Sequence, residues 1–230
     1  MEIVLNTSPY EVAGHALVSA LEKHAGKPVL ILVSGGSAFK ILEYVGEQFL
    51  SSLCTLGVLD ERYSSDVGVN NFLQLEKTAF FKTAVKKDVS IIDTSVHENE
   101  DMLHFRTRWE GELHAWVENN PTGIVLVTMG MGSDGHTAGI FPNAKGVSFG
   151  SSEWVVAYHV PPIQNLHTER VTVTHTFLRD IVTEAFVLIQ GDSKTEALRK
   201  VEEGAGSLTE TPARIFREIP SVKVFTDIGA

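Results

Sequence analysis

Five short runs of apolar residues carry almost no polar alternation. They are Val29–Val33, Thr55–Leu59, Gly123–Met129, Trp154–Tyr158 and Ala185–Ile189, with a further run at Val222–Phe225. A strand with one wet face alternates apolar and polar residues, whereas a strand covered on both faces need not. Runs of this kind therefore point to a parallel sheet layered between helices. The segments between them have helical spacing. Ser8–Lys23 places Val12, Leu17 and Leu21 on one stripe, and Asp101–Val117 does the same with Leu103, Trp109, Leu113 and Trp116. Ser193–Val201 is a shorter helix, capped by Asp192 or Ser193. Strand and helix in repeated order predict an α/β, doubly wound, mostly parallel sheet with helices on both faces, a modified Rossmann-like architecture.

The rest of the composition fits that class. With 230 residues the chain can bury roughly 70–75% of its unfolded surface and needs no covalent staples. No linker or internal repeat divides it, so residues 1–230 are read as one domain. Its 19 Lys+Arg against 29 Asp+Glu leave a formal net charge of −10. That balance argues against a general binder of nucleic acid or anionic membrane. The lone Cys54 excludes an intrachain disulfide framework and a cysteine-cluster metal site. The opening MEIVLNTSPYE has no signal-peptide pattern, and no run of about 18 apolar residues occurs. The expectation is a cytoplasmic protein with no membrane partner; its oligomeric state stays open.

Sheets of this type bind ligands on the loops outside the carboxyl ends of their strands. The unusual sequences of this chain fall there. Ser34-Gly35-Gly36-Ser37 follows Val29–Val33 and precedes a predicted helix over residues 38–49. Glycines let backbone amides approach an anion, and a helix start favours one, so the segment suits phosphate; alone it is equally a tight turn. Asp60-Glu61-Arg62 is read as the loop after Thr55–Leu59. Arg62 offers a planar donor fork to a phosphate or a developing oxyanion, and Asp60 or Glu61 suits orienting it or binding sugar hydroxyls. Arg170 and Lys194 are two further cations within reach of that edge.

The richest segment runs from Met129 to Pro142. Gly130, Gly132 and Gly135 formally match the G-x-G-x-x-G of dinucleotide sites. Pro142 stops any following helix after about one turn, and Asp134 and His136 sit inside the turn, where a pyrophosphate would meet a carboxylate. Asp134-x-His136 instead suits acid–base chemistry, since a histidine titrates near neutrality and a carboxylate can orient its ring. His97, His104, His114, His159, His167 and His175 show no metal-ligand spacing. Neither a G-x-S-x-G elbow nor a nucleotide P-loop is present.

Together these segments resemble the 6-phosphogluconolactonase family, within the wider group that includes glucosamine-6-phosphate deaminase. The resemblance is carried in order by Ser34–Ser37, Asp60–Arg62, Gly130-x-Gly132-x-Asp134-Gly135-His136-Thr137-Ala138-x-x-Phe141-Pro142, Arg170-x-Thr172, Gly191-x-x-Lys194 and Pro212-Ala213. It implies hydrolysis of 6-phospho-D-glucono-1,5-lactone in the oxidative pentose phosphate pathway, with no metal or organic cofactor. His136 matches the family's proposed base. Arg62, Arg170 and Lys194 match its cations, and Ser34, Gly35, Gly36 and Ser37 its phosphate cradle. The deaminase branch carries a glutamate five residues after the histidine, where this chain has Phe141. The family's usual Thr-Pro after the cradle is replaced by Ala38-Phe39, and its Ser-Asn-Tyr by Asn70-Asn71-Phe72. A non-catalytic sugar-phosphate sensor and a sugar-phosphate isomerase or deaminase are the competing readings.

Overall fold

The computed structural model describes residues 1–148 and 150–230. From the N-terminus the chain forms β1 (Glu2–Leu5), α1 (Pro9–Lys23), β2 (Val29–Val33), β3 (Cys54–Val58), β4 (Asp60–Arg62), α2 (Asn71–Leu75), α3 (Ala79–Lys86) and β5 (Ser90–Ile91). It continues through α4 (Met102–Asn119), β6 (Ile124–Gly130), β7 (Val155–His159), β8 (Glu169–Val173), α5 (His175–Asp180), β9 (Glu184–Ile189), α6 (Thr195–Glu202) and β10 (Val222–Thr226). Tighter 3-10 turns cover Gly36–Tyr44, Glu47–Phe49, Asp192–Lys194 and Pro212–Arg217.

Among the described residues one sheet has the order β1-β10-β9-β6-β2-β3-β5, and every neighbouring pair in it is parallel. The apolar runs of β2, β3, β6 and β9 form its centre. All of β2 and β3 is buried, which is why these strands carry no polar alternation. The chain leaves β2 toward β3 and β5, then returns to β6 on the other flank and moves on to β9 and β10. Right-handed crossovers running in opposite directions put helices on opposite faces. The reversal between β2 and β6 opens a crevice at their carboxyl ends, the place where such sheets take ligands.

Trp154–Tyr158 does not join this sheet, contrary to the sequence expectation. β7 pairs antiparallel with β8, which pairs antiparallel with β4, in a second, three-stranded sheet. Its apolar character comes from cover on both faces outside the parallel sheet: Val155 belongs to the main core, whereas Val156 and Tyr158 pack with Phe141, Ala144 and Val160. Arg106 of α4 donates to the Val155 carbonyl (2.8 Å), and Glu110 accepts from the Trp154 amide (2.6 Å). Asp60-Glu61-Arg62, read as a loop, is therefore a strand of that second sheet.

Other boundaries also move. The predicted helix over 38–49 is a nine-residue 3-10 turn and a shorter one, broken where Val45 and Gly46 become extended. The last helix begins at Thr195 with no side-chain cap, because Asp192 and Ser193 are taken into a 3-10 turn ahead of it. Asp101 does cap α4, accepting from the Leu103 and His104 amides (3.0 and 2.8 Å). Trp109 and Leu113 are buried under that helix, whereas Leu103, expected on the same stripe, is 65% exposed. Among the described residues no helix is long and apolar enough to cross a membrane.

Candidate active site

A cleft of about 190 Å³ opens at the carboxyl ends of β2 and β6, at the reversal point of the sheet. Residues from several separate stretches of chain meet there. Ser34, Gly35, Ser37 and Ala38 come from the turn after β2, and Asp60 and Arg62 from β4. His136 to Gly139 and Phe141 come from the turn after β6, Arg170 from β8, and Lys194 from the turn after β9. Two cations from strands, a third from a turn, and two glycine-containing turns thus share one opening in a chain of net charge −10.

The turn after β6 is held by its own backbone and by the second sheet. The Gly132 amide donates to the His136 carbonyl (2.9 Å), and the Thr137 hydroxyl to the Gly130 carbonyl (2.7 Å). The Thr172 hydroxyl donates to the Ala138 carbonyl (2.5 Å) and the Tyr158 hydroxyl to the Gly139 carbonyl (2.5 Å). Ala138 has φ +46°, a left-handed conformation that a side chain resists, so these outside bonds are what keep it there. The G-x-G-x-x-G match is accounted for by this compact turn. No helix begins among the described residues between Met131 and Trp154, so a pyrophosphate would find no helix start there.

His136 is half-buried at the cleft wall. Its Nδ1 lies 2.6 Å from Asp134 Oδ1, and its backbone N–H also donates to that oxygen (3.1 Å). With the Nδ1 hydrogen directed at the carboxylate, the lone pair lies on Nε2. Burial pushes the Asp134 carboxyl up, but the hydrogen bond and charge of His136 outweigh it and hold Asp134 below its ordinary range. Asp134 does not line the cleft; it acts on His136 from behind. Gly132 is also outside the wall, and its role is clearance for the imidazole: a β-carbon there would lie 2.2 Å from ring atoms Cε1 and Nδ1. Gly36 is exposed and sits at the rim rather than in the wall.

The acidic residues of the Asp60–Arg62 segment separate. Asp60 lines the cleft, and its carbonyl accepts from Asn71 Nδ2 (2.9 Å). Glu61 points the other way and is fully buried. It accepts from the Arg62 amide (2.8 Å), the Asn71 amide (2.5 Å), the Phe72 amide (3.0 Å) and the Thr94 hydroxyl (3.3 Å). Glu61 is thus excluded from sugar binding by alternation along β4 and instead ties the start of α2 to the strand. Burial pushes its carboxyl up to about 8, against the opposing pull of the three amides.

The cations differ in setting. Arg170 is buried; its Nε donates to the His167 carbonyl (3.1 Å) and one terminal nitrogen to Asn165 Oδ1 (2.9 Å). Burial pulls its pKa down, as it does for half-buried Lys194. Arg62 makes a 3.3 Å bond to the Val69 carbonyl, and its Nε is buried without a partner among the described residues. Asn71, Asn165 and Phe141 also line the cleft but were not singled out as site residues. Asn71 lies in a segment whose motif was visible. Asn165 lies in a polar loop with no local signal.

Residues 10–224 match a family model described as glucosamine-6-phosphate isomerases/6-phosphogluconolactonase. The chain is 26% identical over 200 residues to a probable 6-phosphogluconolactonase of Dictyostelium discoideum, covering 84% of this chain and 81% of that protein. Among solved structures, a 6-phosphogluconolactonase from Trypanosoma brucei superposes with a TM-score of 0.78 at 19% identity, covering 99% and 97% of the two chains. A monomeric glucosamine-6-phosphate deaminase superposes with a TM-score of 0.72 at 22% identity, covering 98% and 97%. The shared fold therefore spans both chemistries, and the choice between them falls to the residues of the cleft.

Proposed function

The chain belongs to the glucosamine-6-phosphate isomerase/6-phosphogluconolactonase family, and from that premise we propose that it hydrolyses 6-phospho-D-glucono-1,5-lactone to 6-phosphogluconate. It acts in the cytoplasm, within the oxidative pentose phosphate pathway. The observation that carries the reading is the pairing of His136 Nδ1 with Asp134 in a cleft that holds Arg62, Arg170 and Lys194. A lactone needs one base, one anion site and stabilisation of one oxyanion. His136 Nε2 takes a proton from water as the water oxygen bonds to the lactone carbonyl carbon, and the carbonyl electron pair moves onto its oxygen. The tetrahedral intermediate then re-forms the carbonyl and breaks the bond to the ring oxygen, which receives the proton from the imidazolium. Asp134 steadies the imidazolium between these steps.

The cations divide by position. Arg170 lines the same cleft as His136, and both contact the Phe141 ring; a planar donor fork in that wall suits the developing oxyanion. Lys194 and the Ser34–Ser37 turn follow β9 and β2, the two neighbours of β6 in the sheet, and suit the phosphate. Ring opening with isomerisation requires additional proton transfers. Phe141 supplies no acid at the position where the deaminase branch has one, and this disfavours that reading.

The test is hydrolysis of freshly generated lactone by the wild type and by His136→Ala, each compared with the spontaneous rate, with glucosamine 6-phosphate as the competing substrate. The wild type is expected to accelerate opening of the lactone alone. His136→Ala is expected to lose about 10²–10⁴-fold in kcat. Release of ammonia from glucosamine 6-phosphate, or no acceleration of lactone opening, would overturn the assignment.

A further inference from the structure

The Phe141 ring is stacked on the His136 imidazole, with 4.3 Å between centroids and 21° between planes. Phe141 is 2% exposed, so neighbours fix the ring. Its amide donates to the Tyr158 hydroxyl (3.2 Å), which anchors it to β7. Asp134 holds the edge of the imidazole at Nδ1, and Gly132 leaves the space the ring occupies. A phenyl face carries a negative quadrupole, which attracts an imidazolium and does little for a neutral imidazole.

We infer that Phe141 is a positioning residue that favours the protonated form of His136 by stacking its π face against the ring. The inference rests on the lactonase reading for its catalytic consequence, since that reaction forms an imidazolium in mid-course. The other charges around the cleft act on the same equilibrium. Asp134 on the turn after β6 and Asp60 on β4 favour the imidazolium. Arg62 on β4, Arg170 on β8 and Lys194 after β9 oppose it. Arg170 also lies over the Phe141 ring, 5.5 Å from its centroid. Of these groups, only the phenyl ring can be weakened without adding or deleting a charge.

The test replaces Phe141 in the full chain with mono-, di- and trifluorinated phenylalanine, which empties the ring face stepwise at nearly constant shape. The titration of the His136 ring protons is followed by NMR in the free protein. Its midpoint is expected to move stepwise to lower pH, by about half a unit to one unit across the series. The acid limb of kcat/KM for lactone hydrolysis is expected to move with it. Phe141→Leu, which keeps apolar bulk and loses the π face, is expected to shift the midpoint in the same direction. A midpoint unmoved across the series would overturn the inference and leave Phe141 a packing residue. The NMR readout does not depend on turnover. A wild type without lactonase activity whose midpoint still moves would retain the stacking effect and remove the lactonase reading.

Discussion

A β-carbon built at Gly132 would lie 2.2 Å from two atoms of the His136 ring and 2.7 Å from Asp134 Oδ1. Neither neighbour can yield without breaking the 2.6 Å contact between them. Gly132→Ala is therefore expected to displace the imidazole. Overpacking of this kind costs about 1–3 kcal/mol, and on the proposed mechanism a misplaced imidazole adds a loss of activity. Steady-state kinetics should show kcat falling by about 10² or more, while thermal unfolding shows a modest drop in Tm. A variant with wild-type kcat would show that the ring has another place to go. At this scale the sequence was readable where chemistry and chain position coincide. His136, Asp134, Arg62, Arg170 and Lys194 stand beside strand ends and glycines, and the structure brings all but Asp134 to the cleft wall. Glu61 was not separable from Asp60, because only strand alternation decides which of two adjacent acids faces the ligand.

The element that sets the site is the turn after β6, and what holds it comes from other elements. Thr172 on β8 donates to the Ala138 carbonyl at 2.5 Å, in a buried position. Thr172→Val keeps the shape and leaves that carbonyl without its donor, at a cost of about 1–3 kcal/mol. For a chain of this length the expected fall in Tm is about 2–4 °C per kcal/mol, measured by thermal unfolding. Catalysis should fall as well, because Ala138 then loses a bond that holds its left-handed backbone in place. An unchanged Tm would mean that the carbonyl finds water or another donor. The second sheet that supplies Thr172 and Tyr158 was hidden in the sequence for two reasons. A strand covered on both faces, as β7 is, reads like a strand of the parallel sheet, and three consecutive charged residues read like a loop. The long-range pairing of Asp60 with Thr172 has no local signature.

For the whole molecule, Glu61 links folding to pH. Burial raises its carboxyl from 4.5 to about 8, so the folded chain holds this proton where the unfolded chain has lost it. Its contribution to stability is complete below about 4.5 and is lost as pH rises through about 8. Unfolding followed from pH 5 to pH 9 is expected to show Tm declining across that window, and Glu61→Gln is expected to flatten the decline. A wild-type curve no steeper than that of Glu61→Gln would show that the amides of Arg62, Asn71 and Phe72 keep Glu61 ionised in the folded protein.

The amino-acid order alone specified the layered α/β class, because burial on both faces leaves a pattern that needs no partner to be recognised. It also pointed to most of the residues that meet in the cleft, since a histidine, a nearby carboxylate and three cations stand at or just after strands. The tertiary structure decided which of these groups meet. The reversal between β2 and β6, the antiparallel sheet that carries Arg62 and Arg170, and the stacking of Phe141 on His136 depend on contacts between residues far apart in the chain. Such contacts are set by packing and register across the whole molecule, and no short segment records them.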